Sequence, residues 1–300
     1  MKKFVAVFAF ILIASMLFSA CQATPPALGT ETNPINWVFV PSGELEKVSA
    51  SAQAVADLLQ KETGYFFKTF VATDYTAAIE AECSTPPKAQ MGSLATFALI
   101  TAADRKCALP ALVASRRGSL TYTGQIIANK DAGIATLADI KGKTFCGVEP
   151  TSTSGWIIPS VMLKAAGLTP DVDFKVTYAG SHDAVVSGVY NNDCQAGATF
   201  VDARANLEAT LADVMDKVSV VEVSIPIPND GVQFVSSMPA EMQTKITDAL
   251  VKIFGTEEGK LAFKDAYQWD GLEKKDNTFY DSFRQLLDAA GIKAIDLMAK

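Results

Sequence analysis

Histidine is almost missing from this chain: His182 is the only one in 300 residues. The five cysteines form no CxxC pair and none lies near that histidine in a metal-binding pattern, so a zinc site of the usual make-up is excluded. Basic clusters are equally scarce. Lys and Arg number 26 against 33 Asp and Glu, a formal net charge of −7, and no cluster is more basic than Arg116 with Arg117. A nucleic-acid backbone needs a basic stripe, so that class of partner is excluded. A small anion is not, because local donors and helix ends decide such binding more than total charge does. There is no internal repeat, and beyond the first twenty residues no apolar run is long enough to span a membrane.

The N-terminus carries a pattern of its own. Lys2 and Lys3 precede an apolar run from Phe4 to Phe18 that stops at Ser19, Ala20 and Cys21. Basic, apolar and small residues in that order make residues 1–20 a secretory signal peptide. A cysteine directly after two small residues resembles a bacterial lipobox, so Cys21 is expected to become a lipid-bearing N-terminus. Residues 21–33, rich in Thr and Pro, read as its tether. The expected location is extracytoplasmic, on the outer face of the cell membrane or in the periplasm. Loss of Lys2 and Lys3 with the signal takes the charge from −7 to −9. Four cysteines remain, Cys83, Cys107, Cys146 and Cys194, in a compartment that permits disulfides. Of the three pairings, Cys83 with Cys107 and Cys146 with Cys194 keep each bridge within one lobe of the division that follows.

From Asn36 onward, short apolar or β-branched runs alternate with helical stretches, which predicts an α/β fold. Strands are expected at Trp37–Val40, Phe66–Val71, Leu109–Ser115, Thr121–Asn129 and Thr144–Val148, then near Phe174–Tyr178, Gln195–Thr199 and Val218–Val223. Between them, helical spacing covers Val48–Thr63, Asp74–Ala81, Trp156–Ala166 and Asp183–Tyr190, and the C-terminal portion is helical. About 280 residues after the signal suit two lobes. Residues 34–123 with 233–300 form one and 124–232 the other, joined through Thr121–Asn129 and Ile225–Phe234, with a ligand cleft between them.

One loop carries chemistry. Glu149, Pro150, Thr151, Ser152, Thr153, Ser154 and Gly155 link a predicted strand to a predicted helix. Adjacent hydroxyls and unpaired amides, backed by about half a positive charge from the helix dipole, make a nest for a tetrahedral oxyanion. Gly155 is expected to let the ligand approach the backbone closely. His182 follows another predicted strand, so it belongs at the same end of the sheet and can donate to the same anion. A hydrolase using His182 with Ser152 or Ser154 is the alternative, but the cluster lacks the GxSxG spacing of a nucleophile elbow and no third element supports it.

The runs Leu137–Gly142, Thr144–Phe145, Pro150 with Ser152–Gly155 and Pro159, and Gly180–Val185 resemble the periplasmic phosphonate-binding proteins of ABC importers. Thr73–Tyr75, Gly197–Asp202 and Ile227–Gly231 extend the likeness over nearly the whole mature chain. The resemblance implies a type II periplasmic-binding-protein fold that closes on a phosphonate, phosphite or phosphate-like anion. It implies a monomeric receptor working with a membrane permease, without cofactor, metal or catalysis. Carried over by residue, Ser152, Thr153, Ser154 and His182 hold the phosphorus-bound oxygens, and Tyr75 and Tyr122 close from the other lobe. Asp202 and Asp230 are expected at the ligand's far end, which suits an ammonium or a protonated oxygen. Where relatives carry a Gly-Pro pair and an aromatic, this chain has Met91–Phe97, leaving Ser93 and Thr96 as expected first-lobe donors.

Overall fold

The computed structural model describes residues 26–292; the expected signal peptide, Cys21 and the start of the expected tether lie outside the described residues. In chain order the strands are β1 (Ile35–Phe39), β2 (Phe67–Val71), β3 (Met91–Ser93), β4 (Ala108–Ser115), β5 (Thr121–Asn129), β6 (Thr144–Gly147), β7 (Lys175–Tyr178), β8 (Ala196–Phe200), β9 (Val218–Pro228), β10 (Gly231–Val235) and β11 (Gly271–Lys274). The helices are α1 (Leu45–Thr63), α2 (Tyr75–Cys83), α3 (Thr96–Asp104), α4 (Ile158–Ala165), α5 (His182–Tyr190), α6 (Val214–Lys217), α7 (Ala240–Phe254), α8 (Glu257–Tyr267) and α9 (Asp281–Ala289).

Two sheets result, ordered β11-β4-β10-β3-β1-β2 and β7-β6-β8-β5-β9. β1 pairs in parallel with β2 and β3, as β6 does with β7 and β8. β10 enters the first sheet antiparallel between β3 and β4, and β5 enters the second antiparallel between β8 and β9. The parallel strand β1 is covered on both faces, with Ile35, Trp37, Val38 and Phe39 all fully buried. The amphipathic α1 lays Val48, Ala52, Val55, Ala56 and Leu59 on the first sheet's core. It stops at Gly64, whose left-handed backbone (φ 76°) lets its N–H cap the carbonyl of Gln60.

The structure moves several expected boundaries. β5 is not a connector but lies wholly in the second sheet, and β9 runs to Pro228, so the crossings shrink to residues 116–120 and 229–230. Pro226 and Pro228 are tolerated because β9 is an edge strand. Residues 26–33 do not trail as a tether; they fold into a turn in which Gly29 bonds Asn33 and accepts from Phe66. β3, α3 and β11 are additions. Every residue from Thr96 to Ala102 is buried, so α3 shows no polar face to read. Disulfides join Cys83 to Cys107 and Cys146 to Cys194, each within one lobe, with Cα separations of 5.0 and 5.7 Å.

Candidate functional site

The carboxyl ends of β1, β2 and β3 face those of β6, β7 and β8, and the loops that follow them line a cleft of about 1050 Å³. Ser42, Tyr75 and Ala95 come from the first lobe. Ser152, Thr153, Ser154, His182 and Phe200 come from the second.

The hydroxyl loop enters its helix through a π-helical turn, Thr153–Ile157, before α4 begins. Pro159 has no N–H for the carbonyl of Gly155 four residues back, and that carbonyl instead accepts from the amide of Val148 at 3.1 Å. The widened turn keeps Ser152, Thr153 and Ser154 buried against the cleft. Ser152 caps the turn, accepting from the amide of Gly155 at 3.3 Å. Gly155 serves packing, contrary to the expectation that it admits the ligand: a side chain there would collide with Val148. Gly124 on β5 likewise leaves the space that Ser154 fills.

His182 opens α5, and its ring packs edge-on against Phe200 at 4.7 Å. Its Nδ1 is buried and has no hydrogen-bond partner, as has the hydroxyl of Thr151. Burial, assisted by the charge of Arg116, pushes the imidazole down to about 3, so it is neutral at physiological pH. Tyr75 faces Ser152 from the first lobe, but Tyr122, expected from that lobe too, stands on β5 in the second sheet and faces Ser154 from within the same lobe; burial raises both phenols, which therefore keep their protons as donors.

Three of the hydrogen bonds that cross between the lobes start from backbone amides. The hydroxyl of Thr153 accepts from the amide of Phe97 at 2.8 Å, which satisfies the N-terminus of α3. Glu149 accepts from the amide of Tyr75 at 3.1 Å and does the same for α2. The amide of His182 donates to the carbonyl of Ser42 at 3.2 Å. The structure is therefore the closed arrangement of the lobes.

The expected carboxylates are both engaged. Asp202 is absent from the cleft wall; it accepts from Arg204 at 2.6 and 2.9 Å and from Gln125 at 2.9 Å. Burial pushes its carboxyl up, but the Arg204 and Gln125 contacts outweigh that and hold it low. Asp230 does line the cleft, paired with Arg116 at 2.6 Å. Nor do the two first-lobe hydroxyls stand free. Ser93 accepts from the indole of Trp37 at 3.1 Å and Thr96 donates to the carbonyl of Pro228 at 2.7 Å.

Arg116 is a cleft-wall residue that the sequence reading did not place at the site. It lies over the ring of Tyr122 at 5.5 Å, and Nε donates to the carbonyl of Tyr267 at 2.9 Å. Its only sequence signal, an Arg-Arg pair just before β5, reads as charge rather than as a site. Tyr267 and Trp269 complete that wall, held by an aromatic cluster in which Phe263 stacks on Trp269 at 4.7 Å. Among the described residues, no group of three or more acidic, cysteine or histidine side chains is placed to hold a metal ion.

Comparison with known proteins gives this cleft a context. The profile described as "ABC transporter, phosphonate, periplasmic substrate-binding protein" matches residues 37–280. The "Phosphate-import protein PhnD" of Mycolicibacterium smegmatis is 26% identical over 92% of this chain and 93% of its own. Among solved structures, a binding protein component of an ABC phosphonate transporter from Pseudomonas aeruginosa superposes with a TM-score of 0.78 at 24% identity, covering 86% of this chain and 87% of its own. PhnD1 from Prochlorococcus marinus, in complex with methylphosphonate, gives a TM-score of 0.75 at 14% identity, covering 86% and 98%.

Proposed function

The chain belongs to the family of phosphonate-type periplasmic substrate-binding components of ABC transporters, which are binding proteins rather than enzymes, and from that premise we propose that its cleft holds one phosphonate. The phosphonyl oxygens take donors from Ser152, Thr153, Ser154 and His182 at the head of two helices, with the phenol of Tyr75 opposite and that of Tyr122 beside them on β5. The observation that carries this reading is the imidazole of His182, buried in the cleft wall with Nδ1 unpartnered. A neutral ring in that place supplies one N–H to an oxyanion without bringing a buried charge of its own. Closure around the anion, through the Thr153 and Glu149 bonds, is the form presented to the permease. Lipid on Cys21 tethers this monomeric receptor to the outer face of the membrane.

Calorimetry tests the assignment. Ser154→Ala and His182→Ala are each expected to weaken methylphosphonate binding by about 10- to 100-fold, one charge-assisted hydrogen bond apiece. Unchanged affinity in both variants removes the site. The name of the mycobacterial relative supports phosphate as a second ligand; phosphate and phosphite in the same titrations decide between them. Labelled palmitate on the wild-type chain, absent from Cys21→Ser, tests the anchor.

A further inference from the structure

Resting on the phosphonate reading above, we propose that the cleft contains a second subsite, built from Arg116 and Trp269, that takes a carboxylate on the ligand's organic substituent. The space for it is there. A cleft of about 1050 Å³ lies at the upper end for small-molecule sites and extends past the hydroxyl cradle to a wall made by Arg116, Tyr122, Tyr267 and Trp269.

An ammonium is disfavoured at that wall, where Asp270 is already engaged by Ser115 and the amide of Gly118. Asp202 is held by Arg204 and does not reach the cleft, and Asp230 already pairs with Arg116 at 2.6 Å. An ammonium beside Asp230 would also sit beside a guanidinium.

Donors, by contrast, are left over. Arg116 spends Nε on the carbonyl of Tyr267 and Nη1 on Asn229 and Asp230, while Nη2 has no acceptor among the described residues. The indole N–H of Trp269 is also unmatched, in a side chain that lines the cleft and is only 1% exposed. A buried donor without an acceptor is costly, and a ligand oxygen removes that cost.

Both groups are also fixed in place. The guanidinium rests on the Tyr122 ring with three bonds of its own, and the indole is stacked on Phe263 with ring planes 9° apart. Planar, preorganised donors of this kind suit the two oxygens of a carboxylate.

The test is calorimetry of the full chain with phosphonoacetate, methylphosphonate and 2-aminoethylphosphonate. Phosphonoacetate is expected to bind at least about tenfold tighter than methylphosphonate, the increment of one charge-assisted bond, and the amine no tighter. Trp269→Phe, which keeps the ring stack, should collapse that ratio, and so should Arg116→Lys, which keeps the charge but lacks the Nη2 donor. Near-ultraviolet circular dichroism establishes that each variant is folded. Tighter binding of the amine, or a ratio unmoved in both folded variants, overturns the subsite while leaving the cradle intact. Failure of all three ligands to bind overturns the phosphonate reading itself, and the subsite falls with it.

Discussion

Glu82 gives the fold a pH dependence that replacing one residue by an isostere should abolish. Its carboxyl is only 2% exposed, in the core between α2 and the first sheet, where it accepts from Nε2 of Gln233. Oε1 of Glu82 and Oε1 of Gln233 are both buried without partners. A proton on the acid supplies the donor this pair of acceptors lacks, and burial pushes the carboxyl from 4.5 up to about 8. Between those values the unfolded chain has released its proton and the folded chain has not. Stability therefore falls as pH rises from 4.5 to 8 and levels off above, by up to about 5 kcal/mol at ~1.4 kcal/mol per pH unit. Glu82→Gln does not titrate. The measurement is guanidinium unfolding of wild type and variant at half-unit steps from pH 4.5 to 8.5. Effects common to both chains, His182 among them, cancel in the difference. That difference should drift against the wild type by several kcal/mol across the window. A constant difference refutes the reasoning.

Three further outcomes follow from the site and its bridges. The imidazole of His182, depressed by burial to about 3, should show no NMR titration between pH 5 and 8 in the ligand-free closed protein; because its folded value is lowered, the stability it contributes is present above about 6.5 and is lost as pH falls toward 3. Thr153→Ala removes the bond to the amide of Phe97 and should shift the ligand-free population toward the open arrangement by roughly 1 kcal/mol, read as a larger radius of gyration in X-ray scattering. Replacing Cys146 and Cys194 by alanine should cost roughly 4 kcal/mol of unfolding free energy on the chain-entropy estimate for their separation of 48 residues.

Local pattern carried most of the architecture. Strands buried on one or both faces and capped helices such as α1 announce themselves through residue type and spacing. β3 failed because three residues are too few to show alternation, and α3 because burial on every side erases its period. The cradle was legible for a similar reason: hydroxyls adjacent in sequence at a helix start stay adjacent in space. The far wall was not. An Asp in the sequence does not reveal its partner, so Asp202 and Asp230 read as free carboxylates although Arg204 and Arg116 hold them. Trp269 reaches the cleft by packing on Phe254 and Phe263 from the two preceding helices, and their spacing in sequence does not reveal that the three rings meet.

The placing of β10 also bears on the order in which the molecule is completed. The second sheet is made from one uninterrupted stretch, β5 to β9, and lacks nothing once Pro228 has joined it. Its neighbour waits. Until Gly231–Val235 arrives, β3 and β4 look at each other across a slot one strand wide, so a chain truncated after β9 should keep the later half native and leave the earlier half unable to close.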